Sequence, residues 1–463
     1  MFDASNLSPR LLGEAKRSSR RGMGLNTSGG GRTMATFCPT SWLSVLSCLC
    51  LYGARATAAT PDPPARPTVV SSHPALSEDE AVLIALRDNP QLRLYRTERA
   101  VAAGQIITAT ALNNPSLGID ALHVQAADKL GWEFSLKWTP PQPVEWLARR
   151  SQARARQEEV NYEIAEREWA LATEVRVVFA TLIELADQRQ MGEQGLLLRK
   201  RLTAATRTRV NRGAGTRLEL NLVELAQMYA QRDFDELDVR LQQAQNALQL
   251  LLGVTSAAPI PITGSPVNPI VPSAPTRPEP LSEQALATRP ALQAAYARIT
   301  QRNQAIRAET ARRYPWLTFK GTYRENNLST YPHDLQLGVD LSLPVLNTNA
   351  GPLKVAEAEL AREQASILAL VQQITQRVYA ACAELNIRRS ILLRFTQDVL
   401  PSLQEHERLL EVAARGAEID LVALLSGEEA VLRRRRDHSD ARLAYRRAQL
   451  QLQAAIGQPA ESR

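Results

Sequence analysis

The chain has 463 residues, enough for several globular cores, yet only 5% of them are aromatic. Its formal charge of +7 is uneven: residues 1–59 hold seven Arg/Lys against two Asp/Glu, leaving about +2 for everything after. That remainder intersperses both signs, which argues against a nucleic-acid partner, and three of the four cysteines (Cys38, Cys48, Cys50) lie in the leader, which excludes a disulfide framework beyond it.

Residues 1–32 carry no periodic pattern, and Met34 would serve as a start as well as Met1. A short apolar run from Trp42 to Tyr52 precedes Ala54-Arg55-Ala56-Thr57-Ala58-Ala59. Residues 1–59 therefore read as a pre-signal extension and a secretory signal, too short in its apolar part to span a bilayer. Val45-Leu46-Ser47-Cys48 resembles a lipoprotein cleavage box, which would make Cys48 a lipidated residue. Residues 60–75 are a Pro-rich tether.

A first repeat covers residues 76–258. Two short helices, 78–87 and 91–111, are ended by Asn89-Pro90 and by Asn113-Asn114-Pro115. The period then changes from helical to alternating. Leu117, Ile119, Trp132, Phe134, Leu136 and Trp138 interleave with polar residues, predicting a β-hairpin over 115–140. No proline occurs from Val144 to Ala258, and Ala, Leu, Arg, Gln and Glu dominate. This predicts a long helix over 144–211, about 100 Å at 1.5 Å per residue, and a second over 217–252. Rods of that length need coiled-coil-like pairing.

Residues 259–280, with eight prolines, read as an inter-repeat linker with little structure of its own. A second repeat over 281–458 follows the same order. A short helix precedes Arg289-Pro290, and the next ends at Tyr314-Pro315. The second hairpin is predicted at 316–343, where Leu335, Leu337, Val339 and Leu341 alternate with polar residues. The second long helix is predicted over 352–414 with a bend at Pro401, and the closing helix over 418–456. Gly213 to Gly253 and Gly416 to Gly457 are nearly equal spacings, the mark of duplication. Within each repeat, two shorter rods laid end to end nearly match the long one.

Each hairpin strand is long enough to cross a membrane tilted, with one apolar face edged by Trp132, Trp138, Trp316 and Tyr323. In hydrocarbon an open four-stranded sheet leaves its edges unpaired, so a barrel completed by other copies of the chain is the expected solution. Two soluble hairpins packed on helices are the alternative. A periplasmic coiled-coil adaptor would need flanking all-β domains that are lacking here. A coiled-coil scaffold leaves the strands unexplained.

Taken together, Asn114-Pro115, Leu343-Pro344-Val345-Leu346-Asn347 with Gly351, and the turns Arg209 to Gly213 and Ala413-Ala414-Arg415-Gly416 resemble the TolC-like outer-membrane efflux channels. The likeness covers nearly everything after residue 75. It implies a mainly α protein with membrane β structure: a homotrimer whose 12-stranded barrel, four strands per chain, stands on a long α-helical tunnel through the periplasm. It also implies a periplasmic adaptor, an inner-membrane RND-type pump and outer-membrane lipid as partners, and no cofactor. Leu117, Ile119, Trp132, Phe134, Leu136, Trp138, Leu335, Leu337, Val339 and Leu341 would face lipid. The turns would form the periplasmic tip where the adaptor docks. Arg212, Gly213, Gly215, Thr216, Glu219 and Leu220 come from the first turn, and Gly416, Ile419, Asp420 and Leu424 from the second. The second turn departs from the family pattern, with Ile419 in place of a Ser/Thr cap and Val422 in place of an acid. The Pro344-Val345-Leu346-Asn347 crossing resembles the cobalt–zinc–cadmium branch, although a water-filled duct need not itself specify a cation, and drug export is the other reading.

Other chemistry is absent from the pattern. The histidines (His73, His123, His333, His406, His438) have no metal-ligand spacing, with His333 expected in a loop. No phosphate loop or nucleophile elbow occurs, so no enzyme is predicted. Arg433 to Arg436 read as a solvated face with salt bridges internal to the helix. Cys382 reads as a small apolar residue on a helix face.

Overall fold

The computed structural model describes residues 75–124, 129–255, 258–264, 271–272, 275–325, 333–416 and 421–457. They form two duplicated α+β repeats, mainly helical, with one four-stranded sheet. The first repeat comprises α1 (Glu78–Asp88), α2 (Pro90–Thr110), β1 (Ser116–Val124), β2 (Lys129–Trp138), α3 (Pro143–Asn211) and α4 (Arg217–Leu252). The second comprises α5 (Pro278–Thr288), α6 (Pro290–Ala311), β3 (Trp316–Glu325), β4 (His333–Ser342), α7 (Ala350–Arg394), α8 (Leu400–Gly416) and α9 (Leu421–Ile456). The leader, Cys48, Ile419 and Asp420 lie outside the described residues.

Local signals fix the helix starts. Ser77 closes a capping box with Glu80, and prolines stand in the first turns of α2, α3, α5 and α6, where a missing N–H is harmless. α2 and α4 both pack along α3, and α6 and α9 along α7. Each repeat has its own core. Val175, Phe179, Leu182, Leu248 and Leu252 centre the first, and Ile374, Val378, Leu392, Tyr445 and Leu452 the second.

The repeats share a capping device built from different residues. Asn89, buried, accepts from Leu92 N–H and donates to Leu251 O at 2.8 Å. Arg289, also buried, donates to Ala455 O and to Glu166. In both repeats a helix C-terminus thus docks on the junction of two short helices and turns away through a left-handed glycine, Gly253 (φ 70°) or Gly457 (φ 82°). A Cβ on Gly253 would lie 2.8 Å from Asp88 O and 2.9 Å from Pro90 Cδ. Gly213 is also left-handed (φ 73°) but has open space around it. Gly213→Ala should therefore cost about 1–2 kcal/mol from backbone strain alone. Gly253→Ala should cost more than that, because clash adds to strain. Urea unfolding of the two variants in parallel checks the ordering.

Several helix and loop expectations differ from the structure. The helix predicted over 352–414 is broken by a π-helical turn, Phe395–Val399, which ends two residues before Pro401. Proline lacks the N–H that a regular helix would use there, and the wider turn re-registers the ladder. The 259–280 linker is held where it is described. Gln245 exchanges hydrogen bonds with the backbone of Ile260, and Gln249 donates to Ala258 O. Leu76 bridges to Ile262, Thr276 is held by Asn386, and the buried thiol of Cys382 donates to Thr276 O at 3.2 Å. His333 opens β4 rather than lying in a loop, and its ring stacks on Tyr323. The arginine run pairs mostly outside its helix: Arg435 reaches Glu407 on α8 and Arg436 reaches Asp233 on α4, whereas Arg434 pairs within α9, with Asp437.

Candidate functional site

Two features are candidates for function: the sheet and the turn between α3 and α4. The sheet order is β1-β2-β3-β4, antiparallel throughout, so β1 and β4 are its edges. Residues paired across strands share a face. Ile119, Phe134, Tyr323 and Leu335 form one continuous row; Leu117, Leu136, Gly321 and Leu337 form the next. Trp138, Phe319 and Val339 make a third, with Trp138 stacked on Phe319 at 6.3 Å. Every lipid-facing residue named from the sequence lies on this face, and all but the half-buried Trp138 are exposed, Leu337 at 82%. Trp316 is a correction. It pairs with Ser342, in the alternate register, so it lies on the opposite face, and its indole N–H donates to Pro140 O.

That opposite face is polar. Its rows are Gly118, Ser135, Thr322 and Gln336, then Asp120, Glu133, Arg324 and Asp334, with Glu133 and Arg324 ion-paired at 2.9 Å. The sheet is thus an amphipathic wall with two open edges.

The crossing from β4 into α7 exposes Val345 and Leu346 almost fully. Asn349 there takes a left-handed conformation (φ 55°) and donates to Glu309 O at 2.8 Å, which ties the crossing to α6. Asparagine tolerates this region because its short amide bonds locally.

At the other end of α3, Arg212 caps the helix, Gly213 reverses the chain and Ala214 N–H donates to Arg209 O at 2.9 Å. Thr216 and Glu219 then form a reciprocal capping box on α4. Glu219 is therefore engaged by the backbone, a role readable from the Thr-x-x-Glu spacing. Arg212, Gly213 and Thr216 are exposed; Gly215, Glu219 and Leu220 are half-buried. Gly416 ends α8, and Leu424 is half-buried in α9.

Between these features the helices are tied by ions. Along α3, Glu145, Glu159 and Glu166 face Arg312 at the C-cap, Arg298 within and Arg289 at the N-cap of α6, and Glu184 faces Arg442 of α9. Next to Arg442, His438 is buried with its ring 6.1 Å from Phe395 of the π turn. Burial, then the Arg442 cation, push its pKa down, and Asp187 opposes them. Folding thus favours the neutral imidazole over the charged one. Stability should be fully present above its ordinary value, about 6.5, and fall as the pH drops below it, until the lowered folded-state pKa is passed. His438→Gln should flatten that acid limb, as thermal unfolding across a pH series would read.

Among the described residues no helix is long and apolar enough to cross a membrane, and no His/Cys/Asp/Glu group could hold a metal.

No known family model matches the chain. Among curated proteins it is 24% identical over 234 residues to the cobalt-zinc-cadmium resistance protein CzcC of Cupriavidus metallidurans. That match covers 50% of this chain and 54% of the relative, so the chain spans about half the length of the curated relative it matches. Among solved structures, a membrane protein from Pseudomonas aeruginosa superposes with a TM-score of 0.70 at 20% identity, covering 82% of this chain and 92% of that one. The Campylobacter jejuni CmeC outer membrane channel gives a TM-score of 0.70 at 13% identity, covering 83% and 87%. The chain has the fold of the TolC-like outer-membrane channels.

Proposed function

We propose that the chain is the outer-membrane exit duct of a tripartite efflux system. The observation that carries this reading is the sheet. Its exposed apolar rows run across all four strands, while its two edge strands find no partner among the described residues. Lipid would tolerate the apolar face but not the open edges. A homotrimer resolves both, closing twelve strands into one barrel with its polar face inward.

In this reading residues 1–59 direct secretion and 60–75 tether the first repeat; a lipid anchor on Cys48 is the alternative, in which the signal ends at Ser47. The 76–258 and 281–458 repeats, joined through 259–280, supply the barrel hairpins and a coiled-coil periplasmic tunnel. The α3–α4 turn and its counterpart around Gly416, Ile419, Asp420 and Leu424 form the tip that meets a periplasmic adaptor, and through it an inner-membrane RND-type pump. Heavy-metal cations are the favoured cargo, on the similarity to a metal-resistance protein and the Pro344-Val345-Leu346-Asn347 crossing.

Outer membrane extracted in mild detergent should yield a species migrating as a trimer that heat converts to monomer. A soluble monomer in the periplasmic fraction would sink the proposal. A deletion strain should lose zinc and cobalt tolerance; unchanged metal tolerance with lost drug tolerance would redirect the cargo.

A further inference from the structure

The polar face of the sheet holds two lysines side by side. Lys137 of β2 and Lys320 of β3 are register partners, so both ammonium groups leave the same face from adjacent strands. Like charges placed directly opposite destabilise a strand pair. Nearer the strand tips the same two strands pair Glu133 with Arg324 instead. Among the described residues neither lysine takes part in an ion pair, and both are exposed.

Their surroundings suit an oxyanion. Ser116 and Gly338 complete the row, and Gly338 leaves open space beside Lys320. The row on one side is Ser135 and Thr322; on the other, the Thr139 and Thr318 hydroxyls lie 2.9 Å apart. Asp340 pairs with Thr318, diagonal to Lys320, so the belt keeps a net +1 per chain (two lysines less one aspartate). The acidic row of Asp120, Glu133, Arg324 and Asp334 is four residues along β2, about 13 Å away. That exceeds the Debye length of about 8 Å in physiological salt, so the acids do not cancel the belt.

We infer that Lys137 and Lys320 form an oxyanion-binding belt in the duct wall, favouring free solutes that carry phosphate, sulfate or carboxylate groups over bare cations. Rings of lysine act in this way in anion-selective pores. The inference rests on the channel reading, which turns the polar face toward water. A metal cargo would then pass as a complex with anionic ligands.

The full-length trimer is tested in planar bilayers of phosphate-free monoglyceride, so that no headgroup can supply the anion. Lys137→Gln/Lys320→Gln should lower the chloride-to-potassium permeability ratio, from reversal potentials in a KCl gradient, about three-fold or more. It should also abolish the block that millimolar sulfate imposes on the wild type. Lys137→Arg/Lys320→Arg should keep both properties. Conducting trimers whose selectivity and sulfate response ignore the glutamine substitutions would overturn the belt while leaving the duct intact. Absence of any trimer or conductance in the wild type would instead overturn the duct. A second readout needs no variant: sulfate should slow acylation of Lys137 and Lys320, followed by mass spectrometry, relative to the exposed Lys354 on α7. Equal slowing at all three lysines, or none, would reject the belt.

Discussion

Leu337→Arg is expected to abolish recovery of the protein as a membrane-embedded oligomer while leaving the helical content of the chain intact. Leu337 sits at the middle of β4, 82% exposed, within the apolar face. An arginine at the midplane of a membrane β-strand costs about 2–4 kcal/mol. Three copies would bring the penalty to about 6–12 kcal/mol, comparable with the whole stability of an ordinary domain. The comparison is Gln336→Arg, one residue away on the polar face, which should still assemble. Heat-sensitive migration in detergent extracts and circular dichroism read the two halves of the expectation. Normal assembly of Leu337→Arg would place this face in water.

The second large effect concerns the ionic contact between α3 and α9. Arg442, 11% exposed, contacts Glu184 at 3.0 Å and Asp187 at 2.8 Å; Glu184 is 9% exposed and also accepts from the Ser439 hydroxyl at 2.7 Å. Arg442→Met should destabilise the protein by about 3–5 kcal/mol, because it leaves a carboxylate buried without its cation. The double variant Arg442→Met/Glu184→Gln should recover most of that loss, since the penalty lies in the orphaned charge rather than in the missing attraction. Thermal unfolding of these two variants and of Glu184→Gln alone completes the cycle. Additive losses would mean that the two side chains stabilise the fold independently.

The long rods were legible because helix propensity summed over tens of residues leaves little ambiguity, and because Asn113, Gly213, Gly253 and Pro315 punctuate them where the backbone must turn. The capping box of Thr216 and Glu219 carries a local signal, the Thr-x-x-Glu spacing, although the sequence reading placed Glu219 only through the family resemblance. The acids of α3 also carry a signal, since Glu145, Glu159 and Glu166 are separated by multiples of seven. Nothing local, however, states that arginines on and flanking α6, more than a hundred residues later, run antiparallel to them. The same holds for Gln245 and Gln249, which read as surface polar residues until the strap lies across them.

What the sequence alone determined was periodic: helix against strand, the duplication, and the apolar faces of β1, β2 and β4, because these follow from backbone geometry within a few residues. Tertiary structure decided the strand register, and with it the face of Trp316 and the meeting of Lys137 with Lys320. It also decided which charges are buried together and where the ladder widens before Pro401. Those outcomes depend on which distant segments touch, and a side chain's chemistry limits its possible partners without choosing among them.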